Sequence, residues 1–264
     1  MSQIRQSGRD PDADILVRTY AVTHPPSLSI APREVDWHQL AYASSGVMTV
    51  RTAHGTWVVP PHRAVWIPAG VEHAVDMFGR VSVRTVFFKT SLTQDPPTRC
   101  LAVNVSPLLR ELILQAMRLN VLRGQVTSQR RLAQVMLDQL DTVRAAPLQL
   151  PWPSDPRARR AAELIVTHPD RAWRLEEVSR QAGASKRSLE RLFRRETGMT
   201  LGRWRQRARL IHSLRLVASG QPVTQVALAV GYRSPSAYVS AFRRVLGATP
   251  GRYFEPGWQP TVAS

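Results

Sequence analysis

The chain has one cysteine, Cys100. A single thiol cannot close an internal disulfide, and it excludes both a disulfide framework and a cysteine-rich zinc finger. Long apolar runs are missing too: no stretch reaches the roughly 20 residues that cross a bilayer as a helix. Residues 1–14 are polar and partly acidic, unlike a secretory leader. The expectation is a soluble, cytoplasmic protein with no membrane partner. Acidic side chains are scarce, with 19 Asp and Glu against 36 Lys and Arg, for a net charge of +17 over 264 residues. Between residues 154 and 254 there are 20 basic and 7 acidic side chains; residues 1–153 hold 16 and 11. A basic C-terminal half beside a nearly neutral N-terminal half points to a polyanion-binding unit joined to something else. A generally arginine-rich composition is the plainer reading, but the charge falls inside a repeat, which favours the first.

That repeat joins residues 183–204 to residues 231–253. Phe193-Arg194-Arg195 recurs as Phe242-Arg243-Arg244, and Gly198, Thr200, Gly202 and Arg203 recur as Gly247, Thr249, Gly251 and Arg252. Val178 and Gly183 pair with Val226 and Gly231 at an offset of 48, whereas Phe193 pairs with Phe242 at 49, so the second copy has one extra residue in its turn. In the first copy a short helix carrying Leu175, Val178 and Ala182 ends at Gly183. Ser185 caps the next helix, whose Leu189, Leu192 and Phe193 point inward. Lys186, Arg187, Glu190, Arg191 and Arg194 are left on an exposed, mainly basic face. This is the helix-turn-helix pattern, whose second helix enters the major groove. In the second copy Ser234 caps the helix and Pro235, Ser236, Val239, Ser240 and Arg243 face outward, with far less charge. Thr200 caps a connecting helix to about Ser219, roughly 30 Å long at 1.5 Å per residue. That is close to the ~34 Å between successive major-groove faces on one side of the duplex. Arg203, Arg205, Arg207, Arg209 and Arg215 lie along it, some as expected phosphate contacts and others as solvated charge.

Upstream, short strands at 39–43, 47–52, 56–59, 64–67, 73–77 and 81–89 are separated by turn signals such as Ser44-Ser45-Gly46 and Pro68-Ala69-Gly70, which suggests a small antiparallel barrel or sandwich. Ser106-Pro107 starts a helix with Leu109, Leu112, Ile113 and Ala116 on its apolar side. Thr127 or Ser128 starts a second, with Leu132, Val135, Met136 and Leu140. Prolines 147, 151, 153 and 156 mark residues 146–156 as a linker. Asp155-Pro156 then opens a further helix.

Residues 158–254 resemble the AraC/XylS family of bacterial transcription regulators. The resemblance rests on Gly231-Tyr232, Ser236-Ala237-Tyr238, Ala241-Phe242-Arg243-Arg244 and Gly247-Ala248-Thr249-Pro250-Gly251-Arg252-Tyr253. It implies base reading by Arg187, Glu190 and Arg191, with Pro235, Ser236 and Ser240 as their counterparts. It also implies double-stranded DNA and RNA polymerase as partners. Pro68-Ala69-Gly70-Val71-Glu72-His73 is similar to the second half of the cupin motif. Arg33 and Val35 stand where the cupin His-x-His ligands would be, so no metal or other cofactor is expected, although His38, His62 and His73 remain. Trp37, Tyr42, Trp57, Trp66 and Phe87 are candidates to line a cavity in the barrel, with ordinary core the plainer reading of each, and Trp37, His38, Tyr42, Trp66 and His73 are the candidates for binding a small effector. The block from His38 to Gly70 is similar to a subset of the family with cupin sensors, some of which govern drug-efflux genes, so an efflux or metabolic gene is the implied target.

The expected architecture is two-domain α+β: an N-terminal cupin-like antiparallel β-barrel with two helices, then an all-α tandem helix-turn-helix domain. Its boundaries are a loose tail at 1–14, a sensor and dimerisation domain at 15–145, the Pro-rich linker at 146–156, the DNA-binding domain at 157–255 and a tail at 256–264. The expected function is a sequence-specific, effector-responsive transcription regulator and not an enzyme, with pairing of two chains through residues 106–145 a further expectation. A metal-dependent cupin enzyme with an accessory DNA-binding domain, and a protein that coats nucleic acid without sequence preference, are the alternatives.

Overall fold

The computed structural model describes residues 13–25, 28–61, 63–93, 95–142, 148–171 and 173–255. Residues 1–12 of the tail expected at 1–14, the tail expected at 256–264, His62 and Pro147 fall outside these residues. Among the described residues nine strands come first in sequence apart from two interposed α-helices: β1 (Ile15–His24), β2 (Ser29–Arg33), β3 (His38–Thr52), β4 (Gly55–Val59), β5 (Arg63–Ile67), β6 (His73–Phe88), β7 (Leu101–Asn104), β8 (Val121–Arg123) and β9 (Gln149–Pro151). Helix α1 (Pro107–Leu119) precedes β8 and α2 (Thr127–Thr142) follows it. The rest is helical: α3 (Pro156–Thr167), α4 (Leu175–Ala182), α5 (Lys186–Thr197), α6 (Leu201–Ala218), α7 (Val223–Ala229), α8 (Pro235–Leu246) and α9 (Pro250–Tyr253).

The strands form one antiparallel sheet in the order β7-β5-β3-β6-β1-β8, with β2 on β6 and β4 between β3 and β9. Four of the expected strands merge into two. Residues 39–43 and 47–52 are halves of β3, and 73–77 and 81–89 are essentially halves of β6. The supposed turn signals are instead places where the ladder slips: the register shifts between Ala43 and Ser45 and again between Ser45 and Val47. Gly46 and Gly79 take the left-handed φ values of 73° and 69° that such a bulge needs. Pairing along the full length of β3 and β6 outweighs the local preference of Ser-Ser-Gly for a tight turn.

Alternation along the strands sorts the apolar residues onto two faces. One face gathers Ala41, Met48, Val50, Trp57, Val65, Ile67, Met77 and Val83 into a core within the sheet. The other carries Val17, Leu40, Tyr42, Trp66, Val86 and Phe88 under α1 and α2, which contribute Leu109, Ile113, Ala116, Ala133 and Met136. Ser106 caps α1 by accepting from the Leu109 amide at 3.1 Å. The two helices pack within the chain, yet Leu108, Leu119 and Val135 stay exposed on them.

The expected linker is in part a strand. Gln149–Pro151 pairs with β4, and Leu148 and Leu150 are buried in the same apolar cluster as the helical domain. Proline does not forbid this, because β9 is an edge strand and Pro151 ends it. Residue 14 is tied down as well: its carboxylate accepts from the Gln125 amide at 3.0 Å and its carbonyl from the Gly124 amide at 2.9 Å. A third core joins Val47, Val58, Leu148 and Leu150 to α3–α9 around Trp204, Phe193, Phe242, Tyr238 and Tyr253. At that junction Arg215 of α6 stacks over Phe78 at 4.9 Å, and Gly79 lies so near Ala218 that a β-carbon would sit 2.5 Å from the Ala218 carbonyl oxygen.

Three histidines are held neutral by the packing. Burial lowers the pKa of His38, His73 and His212, with Arg33 adding to the effect at His73 and Arg215 at His212, while the Val71 carbonyl and Asp170 oppose it. The unfolded chain, with histidines near 6.5, then binds protons more readily than the folded one. The stability from these sites is complete above that value and is lost as pH falls toward the lowered folded values. Thermal unfolding should shift to lower temperature between pH 7.5 and about 5.5. A flat profile over that range would contradict neutral burial of these rings.

Candidate nucleic-acid interface

In the first helical module α4 ends at Gly183, whose φ is 68°. The chain turns through Ala184 to Ser185, and the Ser185 hydroxyl accepts from the Ser188 amide at 3.1 Å to start α5. Leu189, Leu192 and Phe193 are fully buried, and the Phe193 ring meets Trp204 edge-on at 5.4 Å. With that face fixed inward, Lys186, Arg187, Glu190, Arg191 and Arg194 fall on one outward arc of roughly 140° at ~100° per residue. Arg187, Arg191 and Arg194 are exposed. Lys186 is also exposed but pairs with Glu176 of α4. Glu190 is half-buried, with its carboxylate 3.4 Å from the Leu201 amide at the start of α6. It therefore faces the connecting helix rather than open solvent, so the basic trio Arg187, Arg191 and Arg194 is what this helix presents.

The second module repeats the construction. Ser234 accepts from the Ala237 amide at 3.2 Å, Pro235 occupies the first helical turn, and Tyr238, Ala241 and Phe242 are buried. Aligning the caps Ser185 and Ser234 pairs Arg187 with Ser236, Glu190 with Val239 and Arg191 with Ser240. Pro235 is thus the counterpart of Lys186, so Val239 stands with Ser236 and Ser240 where the resemblance implied Pro235. Ser236, Ser240 and Arg243 are exposed; Pro235 and Val239 are half-buried.

The connecting helix α6 sorts its five arginines by partner. Arg205 donates to the Trp173 carbonyl at 2.7 Å and Arg209 to the Arg171 carbonyl at 3.2 Å, so both tie α6 to the α3–α4 connection. Arg215 is half-buried over Phe78, and desolvation pushes its pKa down to about 10, which still leaves it cationic at neutral pH. Arg203 and Arg207, one turn apart, remain. With Arg244 they line a groove of about 570 Å3 between the two modules, floored by Met199 and Val245. Burial and the neighbouring Arg203 charge lower the pKa of Arg207. Such a groove suits a phosphate backbone. Sequence reasoning named these arginines only singly; the i, i+4 spacing of 203 and 207 was the available signal, but Arg244 comes from another helix.

The five effector candidates do not converge. His38, Tyr42 and Trp66 are buried on the sheet face under α1 and α2, where His38 stacks on Trp66 at 5.1 Å and accepts from the Ala69 amide at 2.9 Å. The Trp66 indole donates to the Pro97 carbonyl at 3.1 Å. His73 instead sits beside Gln39, with 3.4 Å between their side-chain nitrogens, and Gln39 alternates with His38 along β3. Trp37 is half-buried beneath Arg18. Adjacent residues of a strand point to opposite faces, so His38 and His73 cannot share a ligand without moving a strand. Among the described residues no three His, Cys, Asp or Glu side chains are grouped to hold a metal ion. No helix among the described residues is long and apolar enough to cross a membrane.

Residues 178–255 match the family model described as a helix-turn-helix domain, which spans both modules. The chain is 36% identical over 215 residues to the HTH-type transcriptional regulator NimR of Escherichia coli K12, covering 81% of this chain and 78% of that protein. It is 28% identical over 215 residues to the HTH-type transcriptional regulator RipA of Corynebacterium glutamicum, covering 81% and 61%. Among solved structures, a transcriptional regulator with an AraC-type DNA-binding domain from Chromobacterium violaceum aligns with 39% of this chain and 97% of its own, at 25% identity and a TM-score of 0.37. The extent of the match to a full-length regulator, together with the two modules and their exposed basic helix, places this chain in the AraC-type family of helix-turn-helix transcriptional regulators.

Proposed function

We propose that the chain controls transcription in the cytoplasm by binding an asymmetric DNA site with both modules at once, in response to a small molecule sensed by its N-terminal half. The observation that supports this most is the pair of equivalent outward arcs, on α5 and α8, held by one helix of 18 residues. At 1.5 Å per residue that helix spans ~27 Å, close to the distance between neighbouring major-groove faces. Arg187, Arg191 and Arg194 read bases or steer toward them from the first module. Ser236, Ser240 and Arg243 hold register in the second, and the Arg203–Arg207–Arg244 groove receives the backbone between them. RNA polymerase is the partner implied by the family. The exposed Leu108, Leu119 and Val135 support pairing of two chains through α1 and α2.

Selection from a random DNA library by the purified full chain tests this reading. The expected product is one asymmetric motif with two conserved blocks about one helical turn apart, the stronger under α5. If 6–10 phosphates are contacted, affinity for that motif should fall by roughly 10³–10⁵ between 50 and 200 mM salt. A library that emerges unenriched would identify a coating protein instead.

A further inference from the structure

A cavity of about 670 Å3 lies where the sheet, strand β9 and the end of α5 meet. Its volume falls within the ~300–1,000 Å3 usual for small-molecule sites. Trp57, Trp152, Arg99, Cys100 and Glu196 are among the residues that line it. Trp57, one of the aromatic residues expected to line a cavity, does so here, whereas Trp37, His38, Tyr42, Trp66 and His73 do not.

Three features give this cavity chemical character. The two indoles supply flat apolar wall, and Trp57 is almost fully buried, at 3% exposed. Arg99 is exposed and has no hydrogen-bond or ion-pair partner among the described residues, so its charge is available. Glu196 does not cancel it. One of its oxygens accepts from the Ser154 and Asp155 amides at 2.8 and 3.0 Å, and the other accepts from Arg195 at 2.6 Å.

The walls also reach the DNA-binding modules. Trp152 donates to Thr56 on β4 at 3.1 Å, packs edge-on against Trp204 of α6 at 6.0 Å and lies beneath Arg159 of α3 at 4.7 Å. Glu196 belongs to the last turn of α5 and holds the backbone that starts α3. A ligand touching Trp152 and Glu196 therefore presses on the sheet and on three helices of the first module and its connector.

We propose that this cavity binds a small planar aromatic anion, with its ring against Trp57 and Trp152 and its acidic group toward Arg99, and that occupancy shifts the first module through Trp152 and Glu196. The proposal deepens the effector-responsive reading above and rests on it for its consequence, though not for binding itself.

Cys100, the only thiol in the chain, gives a site-specific readout. The probes are naphthalene-2-sulfonate and its uncharged sulfonamide, titrated calorimetrically into the full chain and used to protect Cys100 from iodoacetamide. At ten times its dissociation constant, the sulfonate should slow alkylation roughly tenfold by mass action. It should bind tighter than the sulfonamide by a factor of up to about 5, the range of an exposed ion pair, and Arg99→Ala should erase that preference while Arg118→Ala leaves it intact. Saturating sulfonate should also change affinity for the selected DNA motif. Absence of binding, binding without Cys100 protection, or an unchanged preference in Arg99→Ala would overturn the site. Protection of Cys100 with no change in DNA affinity would overturn the coupling. Loss of sequence preference in the ligand-free chain would overturn the regulator reading while leaving Cys100 protection standing.

Discussion

Trp204→Ala is expected to destabilise the chain by roughly 3–5 kcal/mol, the range for truncating a buried large aromatic. The indole is fully buried, donates to the Pro151 carbonyl at 2.7 Å and packs edge-on against Phe193 and Trp152. One side chain thus touches the recognition helix α5, the end of β9 and the segment that enters α3. Its removal opens a cavity at this junction and strands a carbonyl. Folded domains are stable by only about 5–15 kcal/mol, so the loss is a large share of the total. Trp204→Phe keeps most of the packing and loses the hydrogen bond, and should cost about 0.5–1.5 kcal/mol from that bond, plus a smaller packing loss. Urea unfolding of the two variants separates these contributions. A loss below about 1 kcal/mol for Trp204→Ala would mean that the junction is not tightly packed in solution.

Arg191→Ala should weaken binding to the selected DNA motif by roughly 1–3 kcal/mol and relax base choice beneath α5, as expected for a bidentate arginine contact with a base edge. Its side chain is exposed on the arc opposite the buried Leu189 and Phe193, and no ion pair among the described residues claims it. Ser240→Ala, at the equivalent place on α8, should cost less than about 1 kcal/mol, since a hydroxyl offers one short hydrogen bond where a guanidinium offers a charged fork. The contrast is the informative quantity. Equal losses on the motif and on scrambled DNA would make Arg191 a phosphate contact, and equal losses for the two variants would make the modules equivalent readers. The experiment needs a fixed salt concentration, because the phosphate contribution varies steeply with it.

The helical half was legible because its signals are local. Caps at Ser185, Thr200 and Ser234 lie where a hydroxyl precedes a run of helical period, and each accepts from the amide three residues on. The turn at Gly183 and the inward set Leu189, Leu192 and Phe193 need only neighbours within a few residues to declare themselves. The unequal charge of the two outward faces follows from the same spacing. Glu190 was the exception: its half-buried place beside Leu201 depends on how α6 packs across α5, which no spacing within α5 encodes.

The sheet was legible as a class and not as a plan. Short alternating runs announced antiparallel strands, but whether Ser44-Ser45-Gly46 turns or bulges depends on what lies opposite, and β6 runs past it without a break. The Pro-rich segment 146–156 has the composition of a linker, and only the open edge of β4 and an apolar junction for Leu148 and Leu150 turn part of it into a strand. His38 and His73 looked like companions in a cupin-like motif, whereas strand alternation puts them on opposite faces. By itself, then, the sequence determined the two DNA-reading modules, their caps and their unequal charge, because contacts one helical turn apart are written consecutively in the chain. Tertiary structure alone decided which arginines of α6 bond to the protein's own carbonyls, where β9 attaches and which tryptophans share a cavity. Those outcomes depend on pairing and burial between residues up to a hundred positions apart, whose register is fixed only when the partner surfaces meet.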